Sequence, residues 1–408
     1  MFLNIAAAFV LGAFAFVPYA AAQATARPGI RQQTPTQIVT FSAQVPPQER
    51  RRLVEAAGAV VVRELPFIDA LVVRMPAFHP DAVQLVAAAP GVEGYEDNVY
   101  RKWIELAAPS LSSVEIPSVS EVLRTARANA DIVPKAPLIT GEVPWGISRV
   151  HAPQTWTRTQ GAGVKVGVID TGVDCTHPDL RANCAGGYNV LDPTAKPVDD
   201  QGHGTHVAGT IAAVKDGQGV VGVAPKARIY AIKVLDAEGG GSIEGIIQGL
   251  QWAAENRMQV VNMSLGGPGT AALKKAVVNA YKAGVTIVAA AGNDPNAPVS
   301  APAQYPQSIA VSASTIDDKL AFFSTTGPEV AVIGPGHEIM SCKMGGGTTK
   351  MSGTSMATPH IAGLAALAVA AGASSPSAVR AALVGAAEKL PALTATQQGA
   401  GMPLADNM

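Results

Sequence analysis

The chain has 408 residues, 15% of them charged, and a formal net charge of −1. That length suits two or three domains, and the even charge balance excludes a nucleic-acid binder, which needs a basic face. Forty-one glycines beside only 5% aromatic residues point to a tightly packed α/β core, and three cysteines are too few for a small disulfide scaffold.

Met1–Ala22 is apolar, carries no charged side chain and ends in Ala20-Ala21-Ala22 before Gln23. This is the pattern of a secretory signal peptide with a small-residue cleavage site. Pro18 and the lack of a positive flank argue against a membrane anchor. No later stretch is apolar enough to span a bilayer, so the chain is expected to be secreted and free of the membrane once the signal is removed.

A first unit covers residues 37–103. Gln37–Phe41 reads as a strand, Pro46–Ala57 as a helix opened by prolines, and Ala59–Leu65 and Ile68–Met75 as two further strands. Pro80–Ala89 reads as a second helix stopped by Pro90-Gly91, and Val92–Trp103 as a last strand. The order β-α-β-β-α-β is that of a small ferredoxin-like α+β domain, marginal on its own at this size. Residues 104–141 form a linker rich in Ser, Pro and Ala, with one short helical stretch at Ser118–Ala128, and are expected to be exposed and cleavable.

From Val143 the texture changes. Apolar runs at Val164–Ile169, Arg228–Val234, Val260–Leu265, Thr286–Ala290 and Ile309–Ser312 alternate with helical patterns at His203–Val214, Ser242–Asn256 and Ala271–Ala283. Such alternation predicts an α/β domain over 142–390, a parallel sheet with helices on both faces and reactive groups at the strands' carboxyl ends. Residues 391–408 remain as a C-terminal tail.

Four residues stand where chemistry is expected. Asp170 follows the strand Val164–Ile169 directly; its alternative role is a turn Asp before Gly172. His203 lies in Gly202-His203-Gly204-Thr205-His206, where flanking glycines permit close backbone approach. His203 and His206 could together bind zinc, but no third ligand stands at metal-site spacing, and His206 is read as structural. Asn293 ends Ala289-Ala290-Ala291-Gly292-Asn293 after another strand; its amide suits an oxyanion or an Asx turn. Ser355, in Gly353-Thr354-Ser355-Met356-Ala357-Thr358-Pro359-His360, sits on a tight turn feeding an Ala-rich helix, Ile361–Ala371, and is either a nucleophile or a helix cap.

Asp170, His203 and Ser355 in that order, with Asn293 before the last, resemble the subtilisin-like serine peptidases, the subtilases, whose chain order is a known template. Val168–Gly172, Gly202–Gly209, Asn262–Gly267, Ala289–Asn293 and Gly353–His360 carry the resemblance over roughly Val143–Val384. It implies a serine endopeptidase acting through an acyl-enzyme: Ser355 attacks, His203 moves the proton, Asp170 orients the imidazole, and Asn293 holds the oxyanion. No cofactor is implied for catalysis.

The resemblance also implies that Ser264, Leu265 and Gly266 form an edge to which extended polypeptide substrates add. Ala290, Ala291 and Gly292 form a pocket wall that favours large apolar P1 residues, with Asp294 at the rim. Residues 37–103 resemble the family's propeptide, an intramolecular inhibitor, and the enzyme is expected to be a monomer. A structural calcium is implied at Asp179 and Asp216, against which Gly141 replaces an amide ligand and Lys215 adds a like charge. Two rival classes are a non-catalytic secreted subtilase-like binding protein, which would have lost a triad member, and the acid-acting sedolisin branch, which has Glu in place of His203. Finally, Cys175 and Cys184 flank a loop of turn formers in an exported chain and are predicted to form a disulfide, with Cys342 unpaired; three reduced thiols are the competing reading.

Overall fold

A computed structural model describes residues 35–76, 81–104 and 142–408. The expected signal peptide, the linker from residue 105 and Gly141 lie outside these residues. The described residues belong to one unit, residues 35–408, in which an N-terminal lobe (35–104) rests on a main lobe (142–408).

In the N-terminal lobe, β1 (Gln37–Phe41), α1 (Pro47–Ala56), β2 (Val60–Leu65), β3 (Ala70–Arg74), α2 (Ala82–Ala87) and β4 (Val92–Asp97) build an antiparallel sheet of order β2-β3-β1-β4. Pro47 opens α1, where its fixed φ and missing N–H cost nothing. Strand alternation splits the apolar residues between two faces. Val39, Phe41, Leu71 and Val73 pack under Val54 of α1 and Val86 of α2. Ile38, Ala70 and Val72 face the main lobe and join its core. With so small a private core, the lobe depends on the surface beneath it.

The predicted strand Val92–Trp103 is two strands. After β4, β5 (Tyr100–Lys102) leaves the lobe's sheet and pairs antiparallel with β9 (Gly240–Ser242) of the main lobe. Asn98 at the break explains the change of partner. Its amide donates to Glu244 Oε2 and accepts from Glu244 N, which ties this corner to the main lobe.

The main lobe begins with short helices α3 (Trp145–Arg149) and α4 (Ala152–Thr155). There follow β6 (Lys165–Asp170), β7 (Cys184–Asn189), α5 (His203–Ala212), β8 (Arg228–Lys233), α6 (Ile243–Glu255) after β9, and β10 (Val260–Met263). Then come α7 (Ala271–Lys282), β11 (Thr286–Ala290), β12 (Ser308–Ser314), β13 (Val330–Pro335), the hairpin β14 (Ile339–Cys342) and β15 (Thr348–Met351), α8 (Thr354–Ala370) and α9 (Pro376–Gly385). Seven strands form a parallel sheet of order β13-β12-β11-β10-β6-β8-β7. Helices α5 and α8 cover one face, with Val207, Ile211, Ile361 and Leu364 in that core. Helices α6 and α7 cover the other, through Ile246, Leu250, Leu273 and Val277. Ser242 and Thr270 cap α6 and α7 by accepting from the N–H of Gly245 and Leu273.

The early crossovers after β6 run toward β8 and β7, the later ones toward β10 and beyond. The switch point therefore lies between β6 and β10, and a parallel sheet opens its crevice at the carboxyl ends there. Residues 391–408 contribute Met402 and Leu404 to the main core, and β16 (Ala387–Glu388) pairs with β17 (Met402–Pro403). Cys175 and Cys184 are bonded, with Cα atoms 5.8 Å apart, and Cys342 is free and buried. Among the described residues no helix is long and apolar enough to cross a membrane.

Candidate active site

Asp170 ends β6 with no exposed surface. His203 opens α5 after Gly202, whose φ of +104° suits glycine. The two meet because α5 starts hard against the loop that follows β6. A Cβ on Gly204 would lie 2.0 Å from Gly172 O and 3.2 Å from Asp170 Oδ1, so only glycine allows the approach. His203 Nδ1 stands 2.8 and 3.0 Å from the two Asp170 oxygens. An ionised carboxylate only accepts, so Nδ1 is the nitrogen that donates to Asp170 and Nε2 is the one turned away from it. That Nε2 is buried and has no hydrogen-bond partner among the described residues.

Ser355 is the second residue of α8 and is 5% exposed. Its Oγ donates to Ser264 O at 3.1 Å, and Ser264 Oγ donates to Ser355 O at 2.7 Å. Asn262 Nδ2 donates in turn to Ser264 Oγ. This reciprocal clasp fixes the start of α8 to the end of β10. Asn293 Oδ1 accepts from Thr354 N at 2.8 Å and from Thr354 Oγ1 at 3.0 Å. With the carbonyl end so held, the Nδ2 end stands toward Gly353, 3.3 Å from where a Cβ would be. Of the first-turn N–H groups of α8, Thr354 N is taken by Asn293 Oδ1 and Met356 N and Ala357 N by Gly353 O, and the Ser355 N–H stands between them in the chain.

His206 is not part of this group. Its Nε2 donates to Ile339 O, and burial pushes its pKa down to about 3, so it is a neutral core residue. His203 Nδ1 is committed to Asp170, and the two histidines make no metal site. His360 is likewise buried and pushed down to about 4.

The edge and wall residues divide. Gly266 N donates to Trp103 O at 3.0 Å, Trp103 N donates to Gly239 O at 2.9 Å, and Trp103 Nε1 donates to Gly241 O at 2.8 Å. Trp103 therefore sits between the Ser264–Gly266 segment and the Gly239–Gly241 segment, as an added strand does. The sequence reading missed Gly239-Gly240-Gly241, although three glycines ahead of a helix cap were a usable signal. Leu265, Ala290 and Ala291 are buried, whereas Gly292 is half-buried with its N–H donating to Thr354 Oγ1. Asp294 is exposed, and its carboxylate accepts from Asn296 N.

Asp179 is buried, and its Oδ2 accepts from Val220 N; a Cβ on Gly219 would lie 2.1 Å from that oxygen, so loop 214–220 wraps the carboxylate closely. Asp216 is exposed and its Oδ1 accepts from Gln218 N. A third carboxylate, Glu142, accepts from Asp216 N and Gly217 N; no local motif marks it, because these partners lie 74 and 75 residues away. His177, Asp179 and Cys342 also cluster, but His177 accepts from Asp179 N and donates to Gly347 O. Both ring nitrogens are committed, which leaves none for a metal.

The family model described as the Subtilase family matches residues 161–401. The chain is 49% identical over 227 residues to subtilisin Savinase of Lederbergia lenta, covering 55% of this chain and 83% of that protein. It is 44% identical over 267 residues to M-protease of Shouchella clausii strain KSM-K16, covering 65% and 67%. Over 273 residues it is 44% identical to subtilisin E of Bacillus subtilis strain 168, covering 65% and 71%.

Proposed function

The chain belongs to the subtilase family and is a serine endopeptidase, and from that premise we propose that Asp170, His203 and Ser355 are its catalytic triad. The observation that carries the proposal is the buried Asp170–His203 pair, which commits Nδ1 to the carboxylate and leaves the buried Nε2 without a hydrogen-bond partner among the described residues. In the proposed mechanism Ser355 Oγ turns from Ser264 O, gives its proton to His203 Nε2 and attacks a peptide carbonyl. His203 then protonates the leaving amine, and water releases the acyl group by the same path. Asp170 holds the tautomer and stabilises the imidazolium. Asn293 Nδ2 and the Ser355 N–H receive the oxyanion.

We further propose that the enzyme is secreted, on the strength of its apolar leader, and that it prefers large apolar P1 residues. Residues 35–104 act as an intramolecular inhibitor. Several contacts favour this reading. Glu96 accepts from Ala271 N and Ala272 N at the start of α7, Asn98 accepts from Glu244 N at the start of α6, and Lys275 of α7 donates to Phe41 O. Carbonyl and carboxylate groups of the N-terminal lobe so meet the positive ends of two helices, while Trp103 fills the edge that substrate would use. A structural calcium, a hard cation that takes oxygen ligands, is proposed at Asp179 and Asp216 with carbonyl oxygens of loop 214–220. The carboxylates of Asp179, Asp216 and Glu142 do not converge within 4.8 Å of one another, so they do not form a three-carboxylate site by themselves.

Reaction of the active protein with a fluorophosphonate label tests the assignment. Ser355 is expected to be modified, and Ser355→Ala to lose both labelling and hydrolysis of casein. Hydrolysis that survives in Ser355→Ala, with host proteases excluded, overturns the triad. Absence of labelling and hydrolysis in the parent chain would favour a binding protein.

A further inference from the structure

Outside the three triad residues, the most heavily bonded polar group near the site is Asp199, in the loop just ahead of α5. We propose that Asp199 is a positioning residue for the Asp170–His203 pair and that it acts through the Thr171 hydroxyl. The proposal rests on the triad reading above.

Asp199 is 5% exposed. Its Oδ1 accepts from Thr171 Oγ1 at 2.8 Å, Gly202 N at 2.9 Å and Gln201 N at 3.0 Å. Its Oδ2 accepts from Thr205 N at 2.9 Å and from Thr205 Oγ1. These donors fill a carboxylate, which offers about four lone-pair sites and no proton. An amide of the same shape would turn its NH2 toward N–H or O–H donors whichever way it faced. The donors also come from both sides of the reactive pair. Thr171 follows Asp170, Gly202 precedes His203, and Thr205 lies in the same helical turn.

Thr171 is the shared member. Its N–H donates to Asp170 Oδ1 at 2.7 Å, and its Oγ1 accepts from Gly204 N at 3.0 Å while donating to Asp199. Its carbonyl accepts from Lys233 Nζ at 2.6 Å, and that buried ammonium also donates to Leu235 O and Asp200 Oδ1. One residue therefore touches the carboxylate through its N–H, the histidine's helix through its hydroxyl oxygen, and Asp199 through its hydroxyl proton. Asp199 orients that proton and so leaves the Thr171 lone pair aimed at Gly204 N. Without it, Thr171 is free to rotate and the separation of Asp170 from the start of α5 is no longer fixed.

A simple helix cap would contribute to stability alone, so the test separates turnover from folding. In the full chain, Thr171→Val removes the hydroxyl at nearly constant volume and leaves Asp199 its other donors. We expect kcat per folded molecule to fall about 10- to 100-fold, the effect of a misplacement on the order of 1 Å, with KM changed by less than about twofold. Thr171→Ser should restore turnover, and Asp199→Asn should reproduce the Thr171→Val signature. Turnover of Thr171→Val within about threefold of the parent, or a loss that Thr171→Ser does not restore, overturns the proposal. Should Asp199→Asn fail to fold, the threonine pair decides alone. Ser355→Ala is measured alongside. If it is inert while Thr171→Val is normal, only the positioning role falls; if it is active, the triad reading falls with it.

Discussion

Trp103→Ala should loosen the N-terminal lobe from the main lobe more than any other truncation in residues 35–104. Trp103 is 1% exposed, its indole rests against Gly267, where a Cβ would lie 2.9 Å from the ring, and its Nε1 donates to Gly241 O. A Trp side chain buries about 150–250 Å², which at about 25 cal/mol per Å² gives roughly 4–6 kcal/mol. Retaining a methyl group brings the loss to about 3–5 kcal/mol, the range for Trp→Ala in cores. Little of this falls within the lobe's private core, because Trp103 belongs to the core shared with the main lobe. The population of the undocked lobe should therefore rise at least about 100-fold. Limited trypsin digestion of the full chain in a Ser355→Ala background reads this population directly, since cleavage follows the open fraction when reclosing is fast. Arg51, Arg52 and Arg63 are available as sites. Digestion of the lobe at the parent rate would refute the claim that Trp103 holds it in place.

Asn293→Ala should lower kcat by about 100- to 1,000-fold with little change in KM, the usual result of removing one oxyanion donor; steady-state kinetics on a peptide substrate would expose an unchanged kcat. A peptide-library profile should rank large apolar residues first at P1, basic ones next and acidic ones last, because exposed Asp294 stands beside Asn293; Asp or Glu among the best would contradict this. Both His206 and His360 are held neutral by burial, with pKa values near 3 and 4, whereas the unfolded chain protonates them near 6.5. The unfolded state thus binds more protons between those limits, so their contribution is complete above about pH 6.5 and falls by roughly 1.4 kcal/mol per histidine per pH unit below it. Urea unfolding of the Ser355→Ala chain should show this acid loss, and a flat profile from about pH 6.5 to 4.5 would exclude it. Chelation of calcium should lower Tm by about 5–10 °C if the ion is present at about 100 times its dissociation constant; identical melting curves with and without chelator would remove the calcium site.

What could be read from the residue order was local. Asp170 after an apolar run, His203 between glycines and Ser355 ahead of an Ala-rich helix each announce an element end, and the parallel sheet's rule for carboxyl ends does the rest. What could not be read depends on partners distant in the chain. The strand expected over Val92–Trp103 breaks because Asn98 finds Glu244, 146 residues away. β7 escaped notice because Gly186-Gly187 gives no apolar alternation; Gly187 is required there, since a Cβ would lie 2.0 Å from Ala231 O. Glu142 belongs to no local motif; its carboxylate accepts from the Asp216 and Gly217 N–H groups, 74 and 75 residues on.

The distance between the reactive groups is itself encoded by what is missing from the sequence. Asp170 and His203 stand 33 residues apart in the chain and meet through their own hydrogen bond. Their spacing follows from how closely α5 can approach the loop after β6. That limit is set at Gly204, where a methyl group would stand 2.0 Å from Gly172 O. Ordinary contact begins near 3.4 Å, so any larger residue would push the helix start outward by about 1 Å, a shift on the scale that costs about 100-fold in rate. Asp199 and Thr171 act on the same gap from the other direction, drawing the helix and the loop together through shared hydrogen bonds. Glycine permits the approach and the carboxylate enforces it, and neither alone would define where the imidazole stands.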